Sequence, residues 1–235
     1  MKKGLVVIMA LSLALGAFSC VPKDGTIVVL SAGDHSGTVG AILGNIDDMK
    51  TSLPVMTIMT TPTVEELLNA ALEVPAIGNS TKSRISIILD LLPELEEWLA
   101  EIPDETWQAI EEIMSDVEEL GTVPATIDVL QEAIDSDQYD GYEWLPEALE
   151  FGIDLLDDGE DTIYNPGWAP YAEEPLVGFN VSRLWKEDLE GCIAGAVGCA
   201  LAGIAPYDYG VKIGGVVGAV DSSIADLIGQ LTDWW

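Results

Sequence analysis

Small residues recur at every fourth position near the C-terminus, and this periodicity restricts the fold more than any other feature of the chain. Gly191, Gly195, Cys199 and Gly203 form one set; Gly210, Gly214, Gly218 and Ser222 form a second. A spacing of four keeps each set on one face of an α-helix, drifting slowly around the axis. Glycine disfavours a helix interior by about 1 kcal/mol per residue, so glycines gathered at one phase need a compensating contact. Without side chains, two backbones approach closely and gain dispersion and Cα–H···O contacts. The two sets are therefore read as a helical hairpin with its small faces touching and Pro206 in its turn.

The length of the apolar stretches bears on where such a hairpin resides. Cys192–Ala205 supplies 14 uncharged residues, and Val211–Val220 supplies ten that include Lys212. A bilayer core needs about 20 per helix, and Asp221 and Asp226 add a further cost inside lipid. The first expectation is a hairpin buried in a folded protein. The second is insertion by an oligomer, because small faces also build helix assemblies in membranes. On a helix Cys192 and Cys199 lie about 10.5 Å apart along the axis, beyond disulfide reach, and are expected to be small core residues.

Upstream, the apolar spacing is helical. Thr63-Val-Glu-Glu66 is a capping box, in which the hydroxyl and the carboxylate satisfy orphan amides, and it predicts a helix through about Glu73. Ile85, Ile88, Leu92, Leu95 and Leu99 form a stripe interrupted by Pro93, which predicts a kink or two helices. Trp107, Ile110, Met114, Val117 and Leu120 form another, between Asp104 and Gly121. Ile127, Leu130 and Ile134 make a third with Pro124 in its first turn, and Leu145, Leu149, Gly152 and Leu156 a fourth. Glu96, Glu97, Glu101, Glu111, Glu112, Glu118 and Glu119 fall on the opposite faces and read as solvated. Nearer the N-terminus, residues 21–34 look extended, Thr26–Ser31 and Val55–Met59 look strand-like, and Val39, Ile42, Leu43, Ile46 and Met49 recur at helical spacing.

The expected class is mainly α: a small antiparallel helical bundle with a C-terminal glycine-rich helical hairpin and room for one or two short strands near the N-terminus. The expected organisation is a signal peptide over 1–19, a lipid-anchored extended segment over 20–34 and the bundle over 35–156. A Pro/Gly/aromatic linker over 157–183 and the hairpin over 184–235 follow. Trp168 and Tyr171 in the linker are read as clamps for a long loop rather than as a shelf for a sugar or peptide.

Charge narrows the functional classes. The chain has 235 residues, with 41 acidic side chains against nine basic ones and a formal charge of −32, yet 49% of it is hydrophobic. That is too apolar for a disordered acidic tail, and the scattered lysines and arginines do not suit nucleic acid. A single histidine argues against most catalytic triads and histidine-ligated metals. It lies in Asp34-His35-Ser36, and triads assemble from separated segments rather than neighbours. Gly33, Gly37, Gly40 and Gly44 lack the Lys-Ser/Thr pair of a nucleotide loop. Zinc lacks ligands, and no carboxylate pair stands out for glycoside hydrolysis. No catalytic residue is assigned, and the chain is not expected to be an enzyme.

Calcium has a candidate site. Asp135, Asp137, Asp140, Glu143 and Glu147, with Gly141 as a turn residue, lie between two predicted helices and supply the oxygen ligands a hard cation needs. The spacing has an extra residue between Asp137 and Asp140 relative to an EF-hand, and Glu143 replaces the usual apolar plug. The alternative is an ordinary acidic interhelical loop. Asp157, Asp158, Glu160 and Asp161 form a poorer second cluster. No other cofactor is expected.

Met1-Lys2-Lys3, the apolar run Gly4–Leu15 and the small residues before Cys20 have the layout of a secretory signal peptide. Gly16-Ala17-Phe18-Ser19-Cys20 resembles a bacterial lipobox, with Ala17 where leucine is commonest. The resemblance implies cleavage before Cys20, diacylation of its thiol, and anchorage by two or three acyl chains; the alternative is ordinary signal cleavage with a free Cys20. Val21 follows, not the aspartate that retains many lipoproteins at the inner membrane, which implies export across that membrane and residence at the outer one. Cleavage would remove two basic residues and no acid, leaving seven cations against 41 anions.

Trp185-Lys186-Glu187-Asp188 leading into Gly-Cys-Ile-Ala-Gly-Ala, and then Gly-Gly-Val-Val-Gly-Ala-Val-Asp-Ser-Ser, resembles the tail of uncharacterised secreted proteins and lipoproteins of Bacteroidota. A similar glycine-zipper texture occurs in bacteriocin-like peptides. The resemblance covers about 45 of 235 residues; it implies an envelope location and no particular activity. The expected function is that of a non-enzymatic envelope lipoprotein, a structural or interaction module. It would meet the membrane through its N-terminal lipid and a protein partner, with no nucleic acid and no nucleotide. The alternatives are a membrane-active, bacteriocin-like effector that inserts the hairpin and a calcium-binding extracellular module.

Overall fold

A computed structural model of the chain describes residues 30–53, 61–168, 179–203 and 207–231. Nine helices and no strand occur among the described residues. They are α1 (Ala32–Leu43), α2 (Ile46–Ser52), α3 (Val64–Glu73), α4 (Asn79–Ala100), α5 (Asp104–Glu118), α6 (Val123–Asp135), α7 (Leu145–Glu160), α8 (Val181–Leu201) and α9 (Tyr207–Gln230). The signal segment, Cys20, most of the run 26–31, all of 55–59, Tyr171 and Pro206 lie outside the described residues.

Local chemistry sets most helix ends. Thr63 Oγ1 accepts from the Glu66 amide at 3.2 Å and Glu66 Oε2 accepts from the Thr63 amide at 3.0 Å, so α3 starts at the predicted box. Pro124 occupies the first turn of α6, where no N–H is needed. α4 passes through Pro93 as one helix, with the proline exposed. The extended reading fails for residues 32–34, which open α1. The reason is a second capping box: Ser31 and Asp34 satisfy each other's backbone amides, and the amide of Ser31 donates to Asp34 Oδ2 at 2.8 Å.

The hairpin α8–α9 forms the centre. Residues 192–199 of α8 and 213–220 of α9 are all buried, and a helix apolar on every side belongs inside a fold or a membrane. α8 packs against α4, α5 and α7 as well as α9; α9 packs against α1, α3, α4 and α7. α6 rests on α7. The shell helices turn their acids outward, and Glu96, Glu97, Glu101, Glu111, Glu112, Glu118 and Glu119 are all exposed.

Two stripes differ from the sequence reading in phase. In α4 Trp98 is 1% exposed, while Leu92 and Leu99 are half-buried. Gly198 explains it, because a Cβ there would lie 2.6 Å from the Trp98 carbonyl oxygen; only a glycine on α8 lets that turn of α4 come so close. In α5 the buried residues are Thr106, Ala109, Ile110, Ile113 and Val117, with Trp107 and Met114 at the margin. The small Thr106 and Ala109 are thus inside while two larger residues of the stripe are not, so the helix is rotated from the phase its apolar spacing predicts.

Candidate functional site

The small-residue faces of α8 and α9 interlock backbone to backbone. A Cβ on Gly195 would run into the Gly214 carbonyl, one on Gly218 into the Gly191 carbonyl, and one on Gly191 into Ser222 and the Gly218 carbonyl. A Cβ on Gly214 would lie 2.5 Å from that of Cys199. Gly210 is looser, its added Cβ 3.4 Å from the Ala200 Cα. Gly203 leaves the ladder. It sits past the end of α8 at φ +67° with nothing within 4 Å of an added Cβ, in the left-handed conformation that stops a helix. The face expected of four residues is thus made by three on α8, because the helix ends before the fourth. Glycines outside the ladder seat the shell: a Cβ on Gly215 would lie 2.6 Å from the Phe151 ring, and one on Gly152 2.8 Å from Leu189 Cδ1.

A polar cluster lies where α1 crosses this hairpin. Asp188 of α8 and His35 of α1 are 0% exposed and Ser223 of α9 is 1% exposed. The Tyr164 hydroxyl, from the turn after α7, donates to Asp188 Oδ2 at 2.9 Å. The Ser223 hydroxyl donates to Asp188 Oδ1. His35 Nε2 lies 3.1 Å from Ser223 Oγ and 3.3 Å from Asp188 Oδ2. One buried carboxylate therefore gathers donors from three other segments, as a buried charge must. Gly159 makes room for the Tyr164 ring, which an added Cβ would strike.

The cluster contains the residue types of a serine hydrolase without its wiring. A triad needs the aspartate on Nδ1 and the serine on Nε2; here both meet Nε2. All four side chains are also buried. The arrangement ties segments together rather than presenting a nucleophile. The sequence neighbours of His35 take no part: Asp34 caps α1 and its Oδ1 lies 2.5 Å from Arg84 Nε. The partners of His35 were not identifiable beforehand, although Asp188 stands in the Trp-Lys-x-Asp segment and Ser223 adjoins the ladder.

A second polar group closes the open end of the hairpin. Asn180 caps α8, its Oδ1 accepting from the amides of Ser182 and Arg183 at 3.0 and 3.3 Å. Its own amide donates to Gln230 Oε1 at 2.5 Å. Arg183 Nε lies 2.7 Å from Asp226 Oδ1, and Gln230 Nε2 donates to Asp226 Oδ2 at 2.5 Å.

Burial gives this acidic protein an identifiable pH dependence. It raises the carboxyl of Asp226, an effect opposed by Gln230 and Arg183 and reinforced by Glu187 and Asp188. Burial and Glu96 raise Asp221, and burial with Glu187 and Glu111 raises Glu190. These groups hold more protons in the folded than in the unfolded state, so their ionisation opposes folding and stability falls as pH rises through the folded values. Relief of the charge repulsion carried by 41 acids acts in the same direction. The melting temperature is expected to rise as pH falls through the raised folded values of these groups towards their ordinary ones. The contribution of these groups is complete only below their ordinary values of 3.8 and 4.5. A second loss is expected above pH 9: burial raises both thiols from 9.0, that of Cys199 to about 12, so only the unfolded chain ionises there. Thermal melts at fixed ionic strength check this, and a melting temperature that climbs with pH would contradict it.

The acids of the calcium candidate are placed apart from these groups. Asp135 ends α6 and accepts from Gln131 Nε2 at 2.9 Å, Asp137 adopts φ 53°, and Asp140, Glu143 and Glu147 follow in the turn and the first turn of α7. All five are exposed. Among the described residues no three acidic, histidine or cysteine side chains come together as a metal ion requires. An open cleft of about 470 Å³ lies between the start of α1 (Leu30–Gly33) and α7, lined also by Phe151, Asp154, Asp157, Asp158 and Lys212.

Cys192 and Cys199 are free and buried. The edge of Trp168 rests over Gly40, where an added Cβ would lie 3.0 Å away, so this aromatic covers α1. No helix among the described residues is long and apolar enough to cross a membrane. Comparisons with protein-family models, curated proteins and solved structures found no match.

Proposed function

We propose that the chain is a non-enzymatic lipoprotein of the bacterial envelope, a folded acidic module held beside the outer membrane by acyl chains on Cys20 for contact with a protein partner. The observation that carries this reading is the order of features at the N-terminus: a signal-like segment, a cysteine at its end, and a packed body that includes Leu30, which is 2% exposed. The ten residue steps from Cys20 to Leu30 reach about 35 Å at most. Such a tether keeps the body close to the bilayer, while its negative charge repels anionic head groups and keeps it off the surface.

The surface supports contact with a basic partner. Arg84 and Arg183 are engaged by Asp34, Asp226 and Glu187, and Lys186 donates to the Glu118 carbonyl at 2.6 Å while lying over the Trp185 ring. The exposed acids of α4 and α5 form the surface left to recruit cations. The anchor is tested by expressing the full chain in a Gram-negative bacterium fed a clickable fatty acid. Incorporation that disappears in Cys20→Ala, with release of the protein from membranes, is expected. Unlabelled wild-type protein, or label retained by the variant, overturns the reading.

A further inference from the structure

We propose that α1 is a releasable strap, which lies on the hairpin in this structure and lifts from it as a unit while α8 and α9 stay folded. Three of its 12 residues, Gly33, Gly37 and Gly40, are helix-disfavouring glycines, so its helicity depends on docking. Its first two turns seat polar residues inward: Asp34, His35, Ser36 and Thr38 are all buried. His35 Nδ1, Ser36 Oγ and Thr38 Oγ1 have no hydrogen-bond partner among the described residues. Each orphaned polar atom opposes burial, and three of them lie under one helix. The hairpin beneath has the opposite character, with backbone contact along its length and apolar burial on both helices.

The contacts that hold α1 are correspondingly few in kind. Val39, Ile42 and Leu43 supply apolar burial in its second half. The first half is held by Arg84 on Asp34 and by His35 on Ser223 and Asp188. Trp168 covers the outer side at Gly40, so lifting α1 would part it from that ring and bare Ser223, Asp188 and the sides of α4, α7 and α9 on which it lies. The inference rests on packing alone and stands or falls independently of the lipid anchor.

Hydrogen exchange on the full-length chain in mild detergent, read by mass spectrometry, tests it. The slowest amides of α1 are expected to exchange about a hundredfold or more faster than those at the centre of α8 and α9, with weak dependence on denaturant, as for local opening. Exchange of α1 in step with the hairpin, at the same denaturant slope, overturns the proposal. A second arm uses Gly37→Ala, whose added Cβ would lie 3.4 Å from the flexible end of Arg84, combined with Thr38→Val, which removes an orphan hydroxyl. Exchange in α1 should slow by about fivefold or more while α8 and α9 are unchanged. An equal slowing in α8 and α9, or no slowing in α1, also overturns it.

Discussion

Gly195→Ala is expected to destabilise the protein by about 3 kcal/mol or more, although it adds one methyl group and improves helix propensity. The methyl has nowhere to go, because the Gly214 carbonyl occupies its place and the Gly218 Cα would be 3.1 Å away. Both are backbone, so relief requires α8 and α9 to move apart. That movement would loosen every other contact of the seam, including Gly191 with Ser222 and Gly214 with Cys199. Gly229→Ala provides the contrast, since Gly229 lies in the partner helix α9 but nothing is within 4 Å of its added Cβ. It should gain about 0.5–1 kcal/mol from propensity. Denaturant unfolding of the pair checks both signs. Equal midpoints for wild type and Gly195→Ala would mean that the seam does not hold the fold.

Asp188→Ala should cost about 3–5 kcal/mol, the range for leaving one side of a buried polar pair uncompensated. Tyr164, Ser223 and His35 would all lose their common acceptor while remaining in a dry interior. The loss therefore belongs to the abandoned donors as much as to the carboxylate. In a His35→Phe, Ser223→Ala, Tyr164→Phe background, the same aspartate substitution should cost far less, since no donor is orphaned. A mutant cycle by chemical denaturation measures this coupling. Additive effects would show that the four groups act separately.

The sequence revealed those parts of the fold whose cause is local. The capping box at Thr63–Glu66 specifies its own hydrogen bonds within four residues, and α3 ends at Glu73 as its pattern predicts. The acids of α4 and α5 face water because they are a half-turn out of phase with the apolar stripe. Trp98 was invisible as a core residue for the opposite reason. Its burial depends on Gly198, a residue one hundred positions away whose missing side chain permits the approach. Neither residue is unusual in its own segment. The start of α1 was misread because a β-branched run stops where the Ser31–Asp34 cap begins, and the two signals overlap.

The candidate site was less legible still. The glycine ladder announced that two helices touch, and that is where they touch. Nothing in Asp34-His35-Ser36 indicated that the histidine would meet a serine 188 positions later. By itself, then, the sequence determined the helices, their outward faces and the close pairing of α8 with α9, because spacing and caps act over one or two turns. Tertiary structure alone decided that the hairpin is the centre, which side chains form its buried polar cluster, and that α1 rests there on a polar face. Those outcomes depend on which distant segments exclude water together, and no local pattern encodes that choice.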